Sequence, residues 1–224
     1  STAVQDYHRL EGVLTERRTT SQEFFSSSAG QWDRLRDELF GESFHFLALP
    51  GLANDEWTVG DLGCGTGQVA TSIAPFVKRV IAIDSSMAML RAAKKRVGRT
   101  KNIELRRGEL ESLPLDNTTL DAATVMLVLH HVSEPERIFS EIARVLKPGG
   151  RLLIADMLPH DREHYRHQMG HVWLGFSDTQ IERYLERSGF ERIRVTALPT
   201  DARVKGPALF TATAHKALTG GTIN

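Results

Sequence analysis

Residues 57 to 67, Trp57-Thr-Val-Gly-Asp-Leu-Gly-Cys-Gly-Thr-Gly67, constrain the fold of this chain more than any other stretch. An apolar run passes straight into Gly63-Cys64-Gly65-Thr66-Gly67, and helical sequence resumes at Gln68. Glycine has no Cβ, so it accepts positive φ and lets foreign atoms approach the backbone. Strand, glycine turn and helix start together predict a cradle for a nucleotide-like ligand. The spacing is G-x-G-x-G, not the G-x-G-x-x-G of dinucleotide folds, and an acid, Asp61, stands two residues before the first glycine. A second apolar run, Val80-Ile-Ala-Ile-Asp84, ends in a carboxylate 17 residues beyond Gly67. A carboxylate at that place holds a ribose diol by two hydrogen bonds.

Strand and helix patterns alternate from Trp57 onward, the signature of a sheet with helices on its faces. Strands are expected at 57–62, 80–84, 102–106, 120–129, 151–157, 192–198 and 208–214. A helix is expected over 68–74, stopped by Pro75. Ser85 or Ser86 can cap the next helix, with Met87, Leu90 and Val97 on one face. Ser133-Glu-Pro-Glu136 reads as a capping box, opening a helix with Ile138, Ile142 and Val145 inward and ending at Lys147-Pro-Gly-Gly150. Ser177 with Gln180 caps a further helix, with Ile181, Tyr184 and Leu185 inward, that stops at Gly189. Residues 1–50 lie outside the alternation. They read as two or three amphipathic helices, carrying Tyr7, Leu10, Leu14 and then Trp32, Leu35, Leu39, around a polar break at 16–21. Residues 219–224 read as a tail.

Bulk properties exclude several classes. Lys+Arg and Asp+Glu are both 28 in 224 residues, so no global basic field exists to hold nucleic acid by its phosphates. One cysteine, Cys64, excludes an intramolecular disulfide framework and a multi-cysteine zinc site. No apolar run approaches the roughly 20 residues of a membrane span, and no charged-then-apolar leader opens the chain. A cytoplasmic protein is expected. The first residue is Ser1, so the chain is also read as a processed or excised piece of something longer.

The glycine turn and Asp84 resemble motifs I and II of class I S-adenosylmethionine (SAM) methyltransferases. That resemblance implies a Rossmann-like α/β fold: a seven-stranded, mostly parallel sheet with helices on both faces and the last strand antiparallel. It implies a methyltransferase domain over 51–218 with an insertion at 158–176. Residues 1–50 would form a helical linker or lid, in which Trp32-Asp33 lies over the cofactor; Phe25 and Trp32 as core anchors are the alternative. It further implies that backbone N–H groups at Gly63, Gly65 and Gly67 hold the methionine end, and that Asp61 takes the amino group directly or through water. Asp84 would hold the ribose, Ser85 and Met89 would line ribose and adenine, and Glu109 with Leu110 would lie beside the adenine. Glu109 departs from the family's usual Asp. Met126 and Leu127 would approach the transferable methyl. S-adenosylhomocysteine (SAH) would be the product.

The 156–176 segment is the most unusual. His160, His164, His167 and His171 fall at i, i+4, i+7 and i+11, one stripe if the segment is a single helix. Gly170 interrupts such a helix, and we assign no metal to the stripe. The insertion is instead expected to roof an acceptor pocket, with Tyr165, Trp173 and Phe176 as apolar wall. Its Met-Leu-Pro-His-Asp-Arg-Glu and Met-Gly-His-Val-Trp-Leu-Gly-Phe runs resemble the methyltransferase domain that follows ArsR-type winged-helix repressors. Residues 11–25 resemble the linker between those two domains, which would make the chain part of a longer, dimeric regulator. Candidates for a general base are His131, His160, Tyr165 and His171, and the sequence does not choose among them. Three readings follow: methyl transfer to a small molecule, a SAM/SAH sensor without turnover, and a nicotinamide oxidoreductase, which the glycine spacing disfavours. The single cysteine disfavours arsenite methylation. The lack of Asn/Asp-Pro-Pro-Tyr/Phe after strand four disfavours amino-methylation of DNA bases.

Overall fold

The computed structural model describes residues 6–13, 17, 23–24, 31–41, 43–200 and 204–218, the side chain of Trp32 excepted. The chain divides into two units, Ser1–Leu49 and Pro50–Asn224. In the first, residues 6–13 (α1), Trp32–Phe40 (α2) and Phe44–Ala48 (α3) are helical. Along α2, Arg36 pairs with Asp33 at 2.9 Å and Arg34 with Glu38 at 2.8 Å. Such exposed pairs add only tenths of a kcal/mol. Leu14, Phe25, most of the polar break and the 219–224 tail lie outside the described residues.

The second unit is built on strands β1 (Thr58–Leu62), β2 (Arg79–Asp84), β3 (Ile103–Arg107), β4 (Leu120–Met126), β5 (Leu146–Met157), β6 (Phe190–Ala197) and β7 (Leu209–Lys216). Their order is β3-β2-β1-β4-β5-β7-β6. Every pair is parallel except those of β7, which runs antiparallel to β5 and β6. The order reverses between β1 and β4, and an open α/β sheet binds its ligand at such a switch point, beyond the carboxyl ends of the strands.

Alternate residues of the central strands face opposite layers. Leu62, Ile81 and Ile83 join one buried cluster with Phe139, Phe176 and Phe210, whereas Val59, Val80 and Ala82 join another with Ala70 and Leu90. Helices α4 (Gln68–Ile73) and α5 (Met87–Val97) serve the second layer; α6 (Pro135–Val145) and α8 (Asp178–Arg187) serve the first. Ile138, Ile142, Val145, Ile181, Tyr184 and Leu185 are buried as expected. Among the described residues, no helix is long and apolar enough to cross a membrane.

Caps follow local chemistry, with one correction. Ser86 accepts from Met89 N at 3.3 Å, and Ser177 with Gln180 makes a complete capping box. Ser133 and Glu136 make none, because Pro135 opens α6 and puts Glu134 at the N-cap without a side-chain bond. Met87 faces solvent, and Leu90, Ala93 and Val97 form the buried face of α5. Helix α6 ends at Val145, before Lys147-Pro-Gly-Gly150, and those residues begin β5 with a register shift against β4. Pro148 cannot extend a helix and is tolerated at an irregular strand start. Strand β4 stops at Met126, three residues before the expected end, because Leu127 turns to φ 55°.

Candidate active site

The glycine turn does its work by shape. Gly63, Gly65 and Gly67 all have positive φ, at 75°, 52° and 77°. A Cβ on Gly63 would lie 2.5 Å from Val128 Cγ2, so packing alone demands glycine there. A Cβ on Gly65 would meet nothing within 4 Å, so at that position the missing side chain leaves open space.

The N–H groups of these glycines, expected to face a ligand, each have a partner within the protein. Gly63 N donates to Ile83 O at 2.8 Å, Gly67 N to Cys64 O at 2.8 Å, and Gly65 N to Asp84 Oδ2 at 2.8 Å. The turn is tied down by its own donors, since buried N–H groups without partners are costly. Asp84 Oδ1 accepts from Ser86 N at 2.8 Å. The carboxylate is therefore fixed at the end of β2 by one backbone bond to each oxygen.

A cleft of about 440 Å³ opens over this turn. Of the expected site residues, Gly63, Gly65, Asp84, Ser85, Met89, Glu109, Leu110 and Leu127 line it. Gly67 and Met126 do not. Trp32 cannot be assigned, its side chain being outside the described residues.

Asp61 also stays out of the cleft. It is 2% exposed, and it accepts from Ala70 N at 3.0 Å and Thr124 Oγ1 at 3.2 Å. It thus joins the first turn of α4 to β1 and β4, so its contact with a ligand would run through the turn. Burial pushes its pKa up to about 6 against the usual 3.8, and the bonds from Thr124 and Ala70 oppose the rise. Burial likewise pushes the Cys64 thiol up to about 12, which leaves it inert as a nucleophile near neutrality.

The opposite wall comes from the end of β4. Leu127 holds φ 55° while its side chain is 49% exposed at the cleft. A left-handed conformation costs a branched residue about 1–2 kcal/mol, and Leu127 N is anchored to Ala155 O at 2.8 Å. A tight turn, Leu129–His131, follows. It sends His131 toward the cleft and His130 into the interior.

Asp156, fully buried on β5, organises that turn. It accepts from Leu129 N at 2.9 Å, from Met157 N at 2.7 Å and from His130 Nδ1 at 2.8 Å. The His130 carbonyl in turn accepts from Val172 N and Trp173 N, at 2.8 and 3.1 Å, and Trp173 Nε1 donates to Val132 O at 2.7 Å. The 158–176 insertion is stitched to the turn in this way. Phe176 departs from the expected pocket wall: it is wholly buried in the core beside Trp173.

The histidine stripe does not form. Helix α7 covers only His164–Met169, ended by Gly170 at φ 71°, so His160 and His171 lie outside it. His164 and His167 are exposed, whereas His171 turns back to pack against His130 and His131.

Comparison with known proteins places the chain in a family. A methyltransferase domain model matches residues 60–154. The chain is 30% identical over 146 residues to a demethylmenaquinone methyltransferase of Clavibacter sepedonicus, covering 58% of this chain and 60% of that protein. It is 35% identical over 191 residues to a ubiquinone/menaquinone biosynthesis C-methyltransferase, UbiE, of Syntrophotalea carbinolica, covering 79% and 76%. The chain belongs to the SAM-dependent methyltransferases. A solved SAM-dependent methyltransferase of Aquifex aeolicus superposes with a TM-score of 0.61 at 26% identity, covering 84% of this chain and 97% of that one. The chain spans 29%, 60% and 55% of the length of the first curated relatives it matches.

Sequence reasoning missed Asp156 and His130 as a unit. Asp156 sits at the end of an apolar strand, where Asp84 had already drawn attention on β2. That shared position was the available signal, but nothing local named His130 as its partner, 26 residues away.

Proposed function

We propose that this methyltransferase binds SAM in the cleft over the glycine turn and transfers its methyl group to a small-molecule acceptor. One observation carries the reading: the Asp84 carboxylate and the open face of Gly65 border the same cleft. The residues fit the cofactor. Each Asp84 oxygen accepts one backbone N–H, which leaves each a lone pair for a ribose hydroxyl. Ser85, Met89, Glu109 and Leu110 would border ribose and adenine, and Gly63 and Gly65 the methionine end, with Gly67 shaping the turn behind them. Asp61 would act by holding the turn, while Leu127 would lie toward the transferable methyl with Met126 behind it. SAM supplies an electrophilic methyl when bound, and an in-line displacement asks mainly for alignment from the protein.

The UbiE relative is by name a quinone-pathway C-methyltransferase, which favours a small-molecule acceptor. A second reading rests on the resemblance of the 157–176 segment to the domain following ArsR-type repressors. There, a longer, cytoplasmic, dimeric parent would report SAM or SAH to its winged helix without turnover. SAH release from SAM, measured with reduced quinones and phenols as acceptors, separates the two. Acceptor-dependent SAH supports the enzyme; SAH binding with no release from any acceptor supports the sensor.

A further inference from the structure

His130, His131 and His171 converge on one point from two distant parts of the chain. Each offers a ring nitrogen, and the three nitrogens lie within 4.8 Å of one another, the one such group among the described residues. The ring centroids stand 4.2, 4.3 and 5.1 Å apart. From these positions we infer that the three histidines form a binding site for a divalent transition-metal ion of the zinc type, which neither the family match nor the methyl-transfer reading supplies.

Each ring is prepared for that task. His130 Nδ1 is fixed by the buried Asp156 carboxylate, which only accepts, so in the neutral ring Nε2 carries the free lone pair. A carboxylate behind a histidine is the usual support of a metal-ligating imidazole, because it sets tautomer and orientation and raises basicity. His131 Nδ1 faces the Gly170 carbonyl at 3.4 Å, again leaving Nε2 free. His171 is 7% exposed, and its Nδ1 is buried without any hydrogen-bond partner. A buried, unpaired ring nitrogen is costly unless something fills its valence.

The alternative is a stack of neutral imidazoles, which accounts for the ring contacts but leaves that nitrogen unexplained. Around a tetrahedral zinc with Zn–N near 2.0–2.1 Å, ligand nitrogens stand roughly 3.3 Å apart. The three nitrogens, within 4.8 Å of one another, stand close to that spacing. All-imidazole ligation suits zinc, copper, nickel or iron and rejects magnesium and calcium.

His131 also lines the cleft, which gives an entry path and leaves the fourth position to water or to an acceptor oxygen or sulfur. That last role, unlike metal binding itself, rests on the proposed methyl transfer.

The test is a titration of the tag-free, chelator-treated chain with Zn²⁺ against a chromophoric chelator, with Co²⁺ absorption reporting the ligand set. We expect one ion per chain, bound at least tenfold more weakly in His171→Gln and in His131→Gln. The double variant H164Q/H167Q, on the exposed face of α7, should match the parent. His131 is half-exposed, so H131Q keeps the test valid if H171Q fails to fold. No stoichiometric binding would overturn the site, as would affinity that survives His131→Gln or falls only with His164 and His167. SAM titration of the same preparation is read separately. Zinc binding without SAM binding would sink the methyltransferase reading alone; SAM binding without zinc binding would sink this one.

Discussion

The two walls of the cleft are built by different means. On the β1–β2 side the chain uses backbone: three positive-φ glycines, a turn closed by its own N–H groups, and one carboxylate bonded at each oxygen to a nearby amide. On the β4–β5 side His131 reaches the cleft, and the buried side chains of His130, His171 and Asp156 stand behind it. A backbone site is tuned by what is missing, so it fails when atoms are added. A side-chain site fails when atoms are removed.

The sharpest way to break this contrast is a pair of glycine variants. Gly63→Ala forces a Cβ into Val128 at positive φ, and should cost about 2–4 kcal/mol and abolish SAM binding. Gly65→Ala meets no protein atom, so it should cost only about 1 kcal/mol while still removing SAM binding. Thermal melting and calorimetry on both variants check this. Equal stability losses, or SAM binding retained in Gly65→Ala, would contradict a glycine kept open for the ligand.

On the other wall, Asp156→Asn puts an amide N–H among three donors. It should cost about 2–3 kcal/mol by denaturant melting and weaken Zn²⁺ binding, with SAM affinity changed far less. A SAM affinity that falls as steeply as stability would show the walls to be one unit.

A smaller effect should appear with pH. The His171 pKa is lowered from 6.5 to about 4, mainly by burial, with His130, His131 and His160 adding to it and Asp156 opposing. As pH falls below 6.5 the unfolded chain takes this proton first. The stabilisation is therefore full above pH 6.5 and is lost as pH falls toward about 4. In chelator, the parent's melting temperature should drop a few degrees more than that of His171→Gln between about pH 7 and 5. Parallel curves would mean that His171 is not held neutral by the fold. Smallest of all, Ser86→Ala should cost about 1 kcal/mol by loss of its cap.

The same contrast explains what could be read from sequence. Glycine spacing, a carboxylate ending an apolar run and the caps at Ser86 and Ser177 are local, and all fall where residue chemistry puts them. The seven strands with an antiparallel β7 came through the family resemblance to those local motifs. The failures are also physical. Pro135 displaced the expected cap from Ser133, and Leu127 left the strand through positive φ. The gathering of His130, His131 and His171 depends on tertiary closure across 40 or so residues, which no periodicity encodes.

The most direct test of the account is calorimetric titration of SAM into the parent chain and into Asp84→Asn and Asp84→Ala. The account predicts saturable one-site binding in the parent, weakened in Asp84→Asn, which keeps one acceptor oxygen, and lost in Asp84→Ala, with all three chains folded by circular dichroism. Binding of equal strength in all three would contradict Asp84 as the ribose anchor and, with it, the cofactor site over the glycine turn.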